Sequence, residues 1–229
     1  MRIEIVIPTK GRGFKLLKCL GSIAEARKQV DCYLYTYIYF SDKDEFKQID
    51  EALLKYPWIF TRLLEKEYNA SEFWNDHLKE CRADIFYYIN DDVILAPDCL
   101  KNSIATMNKY FPDLDGVVGL YQENIPIDQQ CRCAFGAIGS RFRDRFPNKQ
   151  VFMPNYKRFY LDTELYEYSS KVSRCVFDET AKLIHMHPSF NSAWMDETHK
   201  DVRKHISKDK KLYDMRHKEG LIWGESFNV

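Results

Sequence analysis

The sequence of 229 residues has no excess charge of either sign, because 34 Lys and Arg residues are matched by 34 Asp and Glu residues. Overall charge therefore favours neither a nucleic acid nor a membrane as a partner, and either would have to be bound by a local patch. No apolar run approaches the roughly 20 residues that a membrane-spanning helix needs. We therefore expect no transmembrane segment, which leaves peripheral membrane contact open. A strand-like run begins directly at Arg2, so we also expect no signal peptide.

Paired-cysteine motifs and the glycine spacing of a phosphate-binding loop are lacking as well. The seven cysteines are odd in number and scattered, so we interpret them as reduced packing residues of a cytoplasmic protein. Cys131 and Cys133 are separated by one residue, whereas zinc-binding pairs usually have two between them. Gly11 and Gly13 do not have P-loop spacing. The remaining composition, 45% apolar and 30% charged, is typical of a soluble globular protein.

Short apolar runs alternate with helix-like segments through the first hundred residues. Residues 2–8 are a β-branched run that ends in proline, and residues 32–40 alternate in polarity as a strand does. Further strand-like runs cover residues 58–64 and 83–90, and residues 70–82 between them have helical spacing of apolar residues. This order predicts βαβ units and therefore an α/β fold with a mostly parallel sheet flanked by helices.

The most informative stretch is residues 86–97 (FYYINDDVILAP), in which an apolar run is interrupted by Asp91 and Asp92. Two adjacent carboxylates at the end of a buried strand are costly unless a positive group meets them. Ligands of open α/β sheets bind at the carboxyl ends of strands, and carboxylate oxygens suit Mg²⁺ or Mn²⁺. A polar turn that merely contains two aspartates is the alternative, and a motif this short does not decide between them.

Other residues that could carry chemistry are spread along the chain. Asp42 with Glu45 resembles a capping box, a role that is compatible with ligand contact. Asp162 precedes a helix-forming segment, where an N-cap is its simplest role. His185 and His187 point to one face of a strand, so they could chelate together, or one could bind while the other packs.

Taken in order, these residues resemble a GT-A fold glycosyltransferase of family 2. The matching pieces are residues 5–12 (IVIPTKGR), Ser41-Asp42, Asn75, residues 83–93 with the acidic pair, residues 162–165 (DTEL) and residues 185–188 (HMHP). The resemblance covers roughly residues 2–190, and the order and spacing of the pieces carry it rather than any single motif.

The resemblance implies that the protein transfers a sugar from a nucleotide-diphosphate sugar to an acceptor hydroxyl with the help of Mn²⁺ or Mg²⁺. The candidates for donor binding are Pro8, Thr9, Arg12, Asp42, Asn75 and Asp91. Among them, Thr9 and Asp42 match positions that hold the nucleoside, and Asp91 matches the acid that contacts the ribose. Arg12 could meet a phosphate, although exposure to solvent is its simpler interpretation.

The same resemblance assigns the catalytic and metal-binding residues. Asp162 matches the base that removes the proton of the acceptor hydroxyl, and in-line attack would invert the anomeric centre. Many relatives have Glu-Asp before the acceptor helix, whereas Leu161 precedes Asp162 here, so Glu164 is the alternative base. We favour Asp162, because an N-cap position presents its side chain at the cleft. Asp92 matches the metal ligand, and His187 matches a late histidine that completes the metal shell or touches the diphosphate.

Two other functions fit the sequence less well: a nucleotidyltransferase acting on a sugar phosphate, and a non-catalytic relative that binds a glycan or a partner. The acceptor could be a glycan, another hydroxyl compound, or a nucleic acid bound by the basic tail and by the arginines of residues 140–146 (SRFRDRF). We expect residues 1–99 to form the donor-binding half and residues 100–190 the acceptor-binding and catalytic half of the same domain. Residues 191–229 would form a basic helical tail.

Overall fold

The computed structural model of the protein describes residues 1–40, 50, 53, 56–64, 69–190 and 192–225. Within these ranges the strands are β1 (Arg2–Thr9), β2 (Tyr33–Phe40), β3 (Ile59–Leu63), β4 (Ile85–Tyr88), β5 (Val93–Leu95), β6 (Val117–Gln122), β7 (Gly136–Gly139) and β8 (Cys175–His185). The helices there are α1 (Gly13–Arg27), α2 (Ala70–Glu80), α3 (Cys99–Tyr110), α4 (Ser140–Arg143), α5 (Leu161–Lys171), α6 (Glu197–Arg203) and α7 (Ile206–Lys218).

The eight strands form one sheet in the order β3-β2-β1-β4-β7-β6-β8-β5. The pairs β3-β2, β2-β1, β1-β4 and β6-β8 are parallel, while β4-β7, β7-β6 and β8-β5 are antiparallel. The first half of the chain accounts for three of the four parallel pairs, and α1 and α2 provide the crossovers from β1 to β2 and from β3 to β4. The prediction of an α/β fold with a mostly parallel sheet is confirmed.

Apolar residues on the two faces of the sheet form two cores. Ile3, Ile5 and Ile7 of β1 pack on one face against α1 and α3, whereas Val6 packs on the other face with α2 and α5. Burying both faces explains why β1 and β4 are near-continuous apolar runs. Glu4 is the exception in β1, since it is charged and only 2% exposed.

The sheet brings the ends of distant strands together at one edge. Thr9 ends β1, and the acidic pair follows β4, which lies beside β1 in parallel. On the far side of the acidic pair, β5 pairs antiparallel with β8 so that Val93 lies opposite His185. The backbone N–H of Met186 also donates to the carbonyl of Asp92 at 2.8 Å. Thr9, the acidic pair and His185 of β8 therefore lie together at one edge of the sheet.

Some local predictions differ from the structure. The N-cap of α5 is Tyr160 in a left-handed conformation, so Asp162 is the second residue of the helix rather than its cap. Asn69 and Glu72 form a capping box at the start of α2, because their side chains bond each other's backbone N–H groups. The capping box expected at Asp42 lies outside the described residues.

The C-terminal helix α7 packs onto the domain through a buried acidic side chain. Asp209 of α7 is 1% exposed and accepts hydrogen bonds from the backbone N–H groups of Lys157, Arg158 and Phe159 at 2.8–3.0 Å. No helix among the described residues is long and apolar enough to cross a membrane.

Candidate active site

The acidic pair is buried and meets an arginine. Asp91 and Asp92 are 3% and 2% exposed, and Nη1 of Arg12 lies 3.0 Å from a carboxylate oxygen of each. The hydroxyl of Thr9 donates to Asp91 at 2.8 Å. Arg12 is only 6% exposed, so the interpretation that it lies in solvent is wrong. The positive charge that two buried carboxylates require is supplied here by the turn between β1 and α1.

The C-terminal segment completes this cluster. Asp196 caps α6 by accepting the backbone N–H of His199, and it also pairs with Nε of Arg12 at 3.1 Å and Nζ of Lys15 at 2.9 Å. Nε2 of His199 then lies 3.7 Å from Oδ2 of Asp92. Neither Asp196 nor His199 was predicted as a site residue from the sequence. An Asp directly before a helical segment is an N-cap signal, but that signal does not reveal where the helix packs.

A second histidine approaches the acidic pair from β8. Nε2 of His185 lies 3.5 Å from Oδ1 of Asp92, and its Nδ1 lies 3.1 Å from the amide oxygen of Gln122. The ring of His187 lies 5.0 Å from the ring of His185 and 4.7 Å from the ring of His199. The histidines that directly approach Asp92 are thus His185 and His199, and the ring of His187 lies beside them, tilted to one and edge-on to the other.

Burial and charge set the protonation of these groups. Burial raises the pKa of Asp91 above its ordinary value, even though Arg12 opposes that shift. Burial acts in the same direction on Asp92, but the nearby imidazoles of His185 and His199 and the charge of Arg12 outweigh it and hold the pKa of Asp92 well below the ordinary value. Burial lowers the pKa of His187 to about 4. Asp92 is therefore ionised and His187 neutral at pH 7, the states in which both can bind a cation.

A cavity of about 590 Å³ opens beside the acidic pair. Three of the predicted donor-binding residues in addition to Asp91 line it, namely Pro8, Thr9 and Arg12. The other lining residues include several with positive charge: Lys10, Lys157, Arg158 and Lys204. Burial lowers the pKa of Arg158, whose charge interacts with Asp91, Asp92 and Asp162. Glu72 and Asp201 line it as well, but basic side chains outnumber acidic ones, and such a pocket suits an anionic ligand that brings a cation.

The two candidates for the catalytic base have different surroundings. Asp162 is partly exposed, accepts the backbone N–H of Thr163 at 3.0 Å, and has its pKa raised by burial. Glu164 is 1% exposed and is bonded to Nε of Arg216 at 2.7 Å and to the hydroxyl of Tyr156 at 2.9 Å. Glu164 thus joins α5 to α7, whereas Asp162 is half-buried and interacts electrostatically with Arg158, although it is not among the described residues that line the cavity.

One further predicted donor contact, Asn75, is placed differently. Asn75 is buried and uses both polar atoms of its amide on the backbone of Phe152, donating at 2.6 Å and accepting at 3.0 Å. It anchors the segment before α5 to α2 and does not line the cavity among the described residues. Asp42 lies outside the described residues.

The basic segment of residues 140–146 is engaged within the domain. Arg143 is 5% exposed and donates to two backbone carbonyls that follow α2. Arg145 pairs with Asp115 at 2.6 Å, and Arg141 is exposed and lies 3.6 Å from Asp113. Two of the three arginines therefore serve the fold, and the segment does not present a basic patch for a nucleic acid.

The sequence profile described as Glycosyl transferase family 2 matches residues 4–175, which is most of the chain. The chain belongs to this family. This membership favours the predicted glycosyltransferase over the nucleotidyltransferase alternative. No curated protein matches the sequence.

Solved structures show the same fold. The mannosyltransferase PcManGT from Pyrobaculum calidifontis, in complex with GDP-Man and Mn²⁺, matches with a TM-score of 0.61 and 13% identity over 80% of the chain. S. aureus TarS 1–349 matches with a TM-score of 0.60 and 14% identity over 88% of the chain. In its complex with UDP-GlcNAc, TarS 1–349 has a TM-score of 0.56. The chain spans 56% of the length of PcManGT and 42% of full-length TarS. At this identity the likeness shows the GT-A fold alone.

Proposed function

We propose that the protein transfers a sugar from a nucleotide-diphosphate sugar to an acceptor hydroxyl, with a divalent cation held by the acidic pair. The observation that carries this proposal is the position of Asp91 and Asp92, buried at the carboxyl end of β4 beside a cavity with basic walls. PcManGT and TarS, which share the fold, have been solved with GDP-Man and Mn²⁺ and with UDP-GlcNAc respectively.

The donor would occupy the 590 Å³ cavity, with its nucleoside toward β1 and its diphosphate toward the basic residues. Thr9 already donates to Asp91, which orients that carboxylate for the ribose. Arg158 and Lys157 reach the cavity from a loop that Asp209 holds by three backbone hydrogen bonds. These cations oppose the two negative charges of a diphosphate.

The residues around Asp92 fit a divalent cation. Oδ1 of Asp92 is buried and accepts no hydrogen bond from the described chain, and imidazole nitrogens lie 3.5 and 3.7 Å from the carboxylate. Asp92, His185 and His199 would hold the ion, with the predicted ligand His187 beside them. A mixed oxygen and nitrogen set favours Mn²⁺ over Mg²⁺, because Mg²⁺ prefers oxygen ligands. The bound cation would offset the negative charge that develops on the departing diphosphate.

Arg12 would change partners when the cation and donor bind. Its Nη1 now bridges Asp91 and Asp92, so a cation at the same carboxylates would compete with it. Since Arg12 also lines the cavity, a short side-chain movement would bring its guanidinium to the donor phosphates. In this account Arg12 neutralises the acidic pair until the cation arrives and then binds the diphosphate.

Asp162 would act as the base. Its carboxylate would remove the proton of the acceptor hydroxyl as that oxygen attacks the anomeric carbon, while the bond from this carbon to the diphosphate oxygen breaks on the opposite side. The product would have the inverted configuration. The raised pKa of Asp162 makes the carboxylate a stronger base than an exposed aspartate, while Glu164 is held by its pair with Arg216. The acceptor would approach from residues 100–190, opposite the donor half of residues 1–99.

A screen of nucleotide-sugars for Mn²⁺-dependent hydrolysis and transfer tests this proposal. Wild type should release nucleoside diphosphate from one donor class, and Asp92→Asn should lower this rate by at least about 100-fold. Asp98→Asn is the matched control, because Asp98 is exposed and its side chain makes no capping hydrogen bond to α3. Equal activity of Asp92→Asn and Asp98→Asn, with both variants folded, would contradict the proposal.

A further inference from the structure

A second group of metal-ligating side chains lies between β1 and α2, away from the acidic pair. Glu4, His77 and Cys81 each offer one ligand atom, and these atoms lie within 4.8 Å of one another. Oε2 of Glu4 is 3.0 Å from Nε2 of His77. The side chains of Glu4 and His77 are 3% and 7% exposed, and Cys81 is buried. A carboxylate oxygen, an imidazole nitrogen and a thiol sulfur therefore meet in one buried place.

The local fold explains why these three side chains lie close together. Glu4 lies on the face of β1 that packs against α2, where its neighbour two positions on, Val6, is in the core. His77 is in the last turn of α2, and Cys81 is the C-cap residue four positions later. Residues four apart lie on the same side of a helix, so both side chains point toward β1. A charged residue in an otherwise apolar strand needs such partners to be tolerated.

Outer partners fix the orientation of two of the three side chains. The hydroxyl of Tyr39 lies 2.7 Å from Nδ1 of His77, which leaves Nε2 directed at Glu4. Arg2 bonds Oε1 of Glu4 through Nε at 2.9 Å and Nη2 at 2.8 Å, which leaves Oε2 directed at His77. Histidines and carboxylates that bind metals are typically held in this way by hydrogen bonds to their other atoms.

We propose that Glu4, His77 and Cys81 form a zinc site that is separate from the active site. A ligand set of oxygen, nitrogen and sulfur is one that Zn²⁺ accepts, whereas the thiolate disfavours Mg²⁺ and Mn²⁺. The spacing of 3.0 Å between Oε2 and Nε2 is close to the roughly 3.3 Å between two ligand atoms of one tetrahedral zinc. Both Glu4 and a Cys81 thiolate are anionic, so together they neutralise the ion.

Three protein ligands leave the fourth position of the zinc to water. The three residues line a cavity of about 720 Å³, whose other walls include Tyr37 and Phe60. Water can therefore reach the ion from the cavity. Three ligands and an accessible position are the arrangement of zinc sites that also bind a small ligand.

Zinc binding has a defined proton balance. Without metal, Nε2–H of His77 donates to Glu4, and Nδ1 accepts from the Tyr39 hydroxyl. With Zn²⁺ on Nε2, the ring proton lies on Nδ1 and donates to the Tyr39 oxygen, while the thiol of Cys81 loses its proton to water. Burial and the charge of Glu4 raise the pKa of Cys81 to about 12, so this thiol is protonated at neutral pH without metal. One proton is released for each ion bound, and the affinity should rise about tenfold per pH unit.

Titration of the full-length Asp92→Asn variant with Co²⁺ and then Zn²⁺ tests the proposal, since this variant lacks a ligand of the proposed active-site cation. One Co²⁺ per chain should bind with a thiolate-to-cobalt absorption band, and Zn²⁺ should displace it. Adding Cys81→Ser should remove the band and weaken Zn²⁺ binding at least tenfold. Adding Cys175→Ser is the matched control, because the Cys175 sulfur lies 3.7 Å from that of Cys133 and could bind zinc elsewhere. This control should leave the absorption band and the Zn²⁺ affinity unchanged.

Thermal unfolding provides the second measurement. Zn²⁺ should raise the melting temperature of Asp92→Asn and of its Cys175→Ser derivative but not that of its Cys81→Ser derivative. His77→Gln should behave like Cys81→Ser, which keeps the proposal testable if one variant does not fold. Stoichiometric binding that survives Cys81→Ser, binding lost with Cys175→Ser instead, or no binding to Asp92→Asn would each overturn the proposal. None of these outcomes depends on glycosyl transfer.

Discussion

Asp162 and Glu164 lie two positions apart in α5, yet their surroundings indicate different roles. Asp162→Asn should lower the rate of transfer by about 100-fold or more, because the acceptor proton then has no base, while donor affinity stays unchanged. Glu164→Gln should instead destabilise the fold by about 3 kcal/mol, since it leaves the half-buried Arg216 without its carboxylate. Transfer kinetics and urea unfolding of both variants check these expectations. Loss of transfer in Glu164→Gln alone, at unchanged stability, would reverse the assignment.

Single residues also show where sequence reasoning succeeds and where it stops. Asp91, Asp92 and Thr9 are recognisable because each directly follows or ends a strand of strong apolar pattern. Arg12 is not recognisable as a partner of the acidic pair, because its position depends on the turn after β1. In this turn Gly11 has a φ of +65°. That turn directs the guanidinium back to the acidic pair, and no periodicity in the sequence reports it.

At the scale of elements, α6 is held to the domain mainly through its N-cap. Burial disfavours ionised Asp196, but the hydrogen bond from Lys15 and the charges of Arg12 and His199 outweigh burial and lower its pKa to about 2. A carboxylate with a lowered folded-state pKa stabilises the protein above its unfolded pKa of about 4, and this contribution is lost as the pH falls toward 2. Because Asp196 is partly exposed, we expect its ionisation to contribute about 1 kcal/mol to the free energy of unfolding.

The pH dependence of unfolding for wild type and Asp196→Asn measures this contribution. The difference between their free energies of unfolding should be constant from pH 7 to pH 5 and should then shrink by about 1 kcal/mol down to pH 2. Other carboxylates titrate in both proteins and cancel in the difference. A difference that does not change with pH would show that Asp196 does not hold α6 by its charge.

Helix α7 has a similar anchor in Asp209. Asp209→Ala should destabilise the protein by about 2–3 kcal/mol, because it leaves three backbone N–H groups in the loop of residues 157–159 without their acceptor. The same loop carries Arg158, so donor affinity should fall as well. Asp214→Ala is the control on the same helix, since Asp214 is exposed and pairs only at the surface with Lys210. Its effect should stay within about 0.5 kcal/mol. Equal effects of the two substitutions would contradict this role of Asp209.

Elements differ in how far the sequence predicts them. The strands and helices of the first hundred residues that the structure describes follow from apolar periodicity and turn residues. Residues 191–229 were predicted as a basic helical tail, and the sequence did not indicate that Asp196, His199 and Asp209 contact the domain. Such contacts depend on tertiary packing, which charge patterning in the sequence does not reveal.

At the scale of the whole molecule, one sheet unites residues that are far apart in the chain. β1 and β4 bring Thr9 to the acidic pair, β8 brings His185 to Asp92, and α6 brings His199. The parallel strands of the first half follow from the βαβ order, and so the donor side could be predicted. The antiparallel pairing that involves β7, β6 and β8 could not be predicted, because short strands without alternation do not specify their partners.

The central claim is that the acidic pair holds a divalent cation together with a nucleoside diphosphate. Electron paramagnetic resonance of Mn²⁺, titrated into the protein in the presence of UDP or GDP, measures this binding directly. One of the two nucleotides should create a single bound Mn²⁺ per chain in wild type and in Asp98→Asn, and Asp92→Asn should weaken that binding by at least about 100-fold. Mn²⁺ that binds Asp92→Asn as tightly as wild type, or that binds neither protein with either nucleotide, would contradict the account.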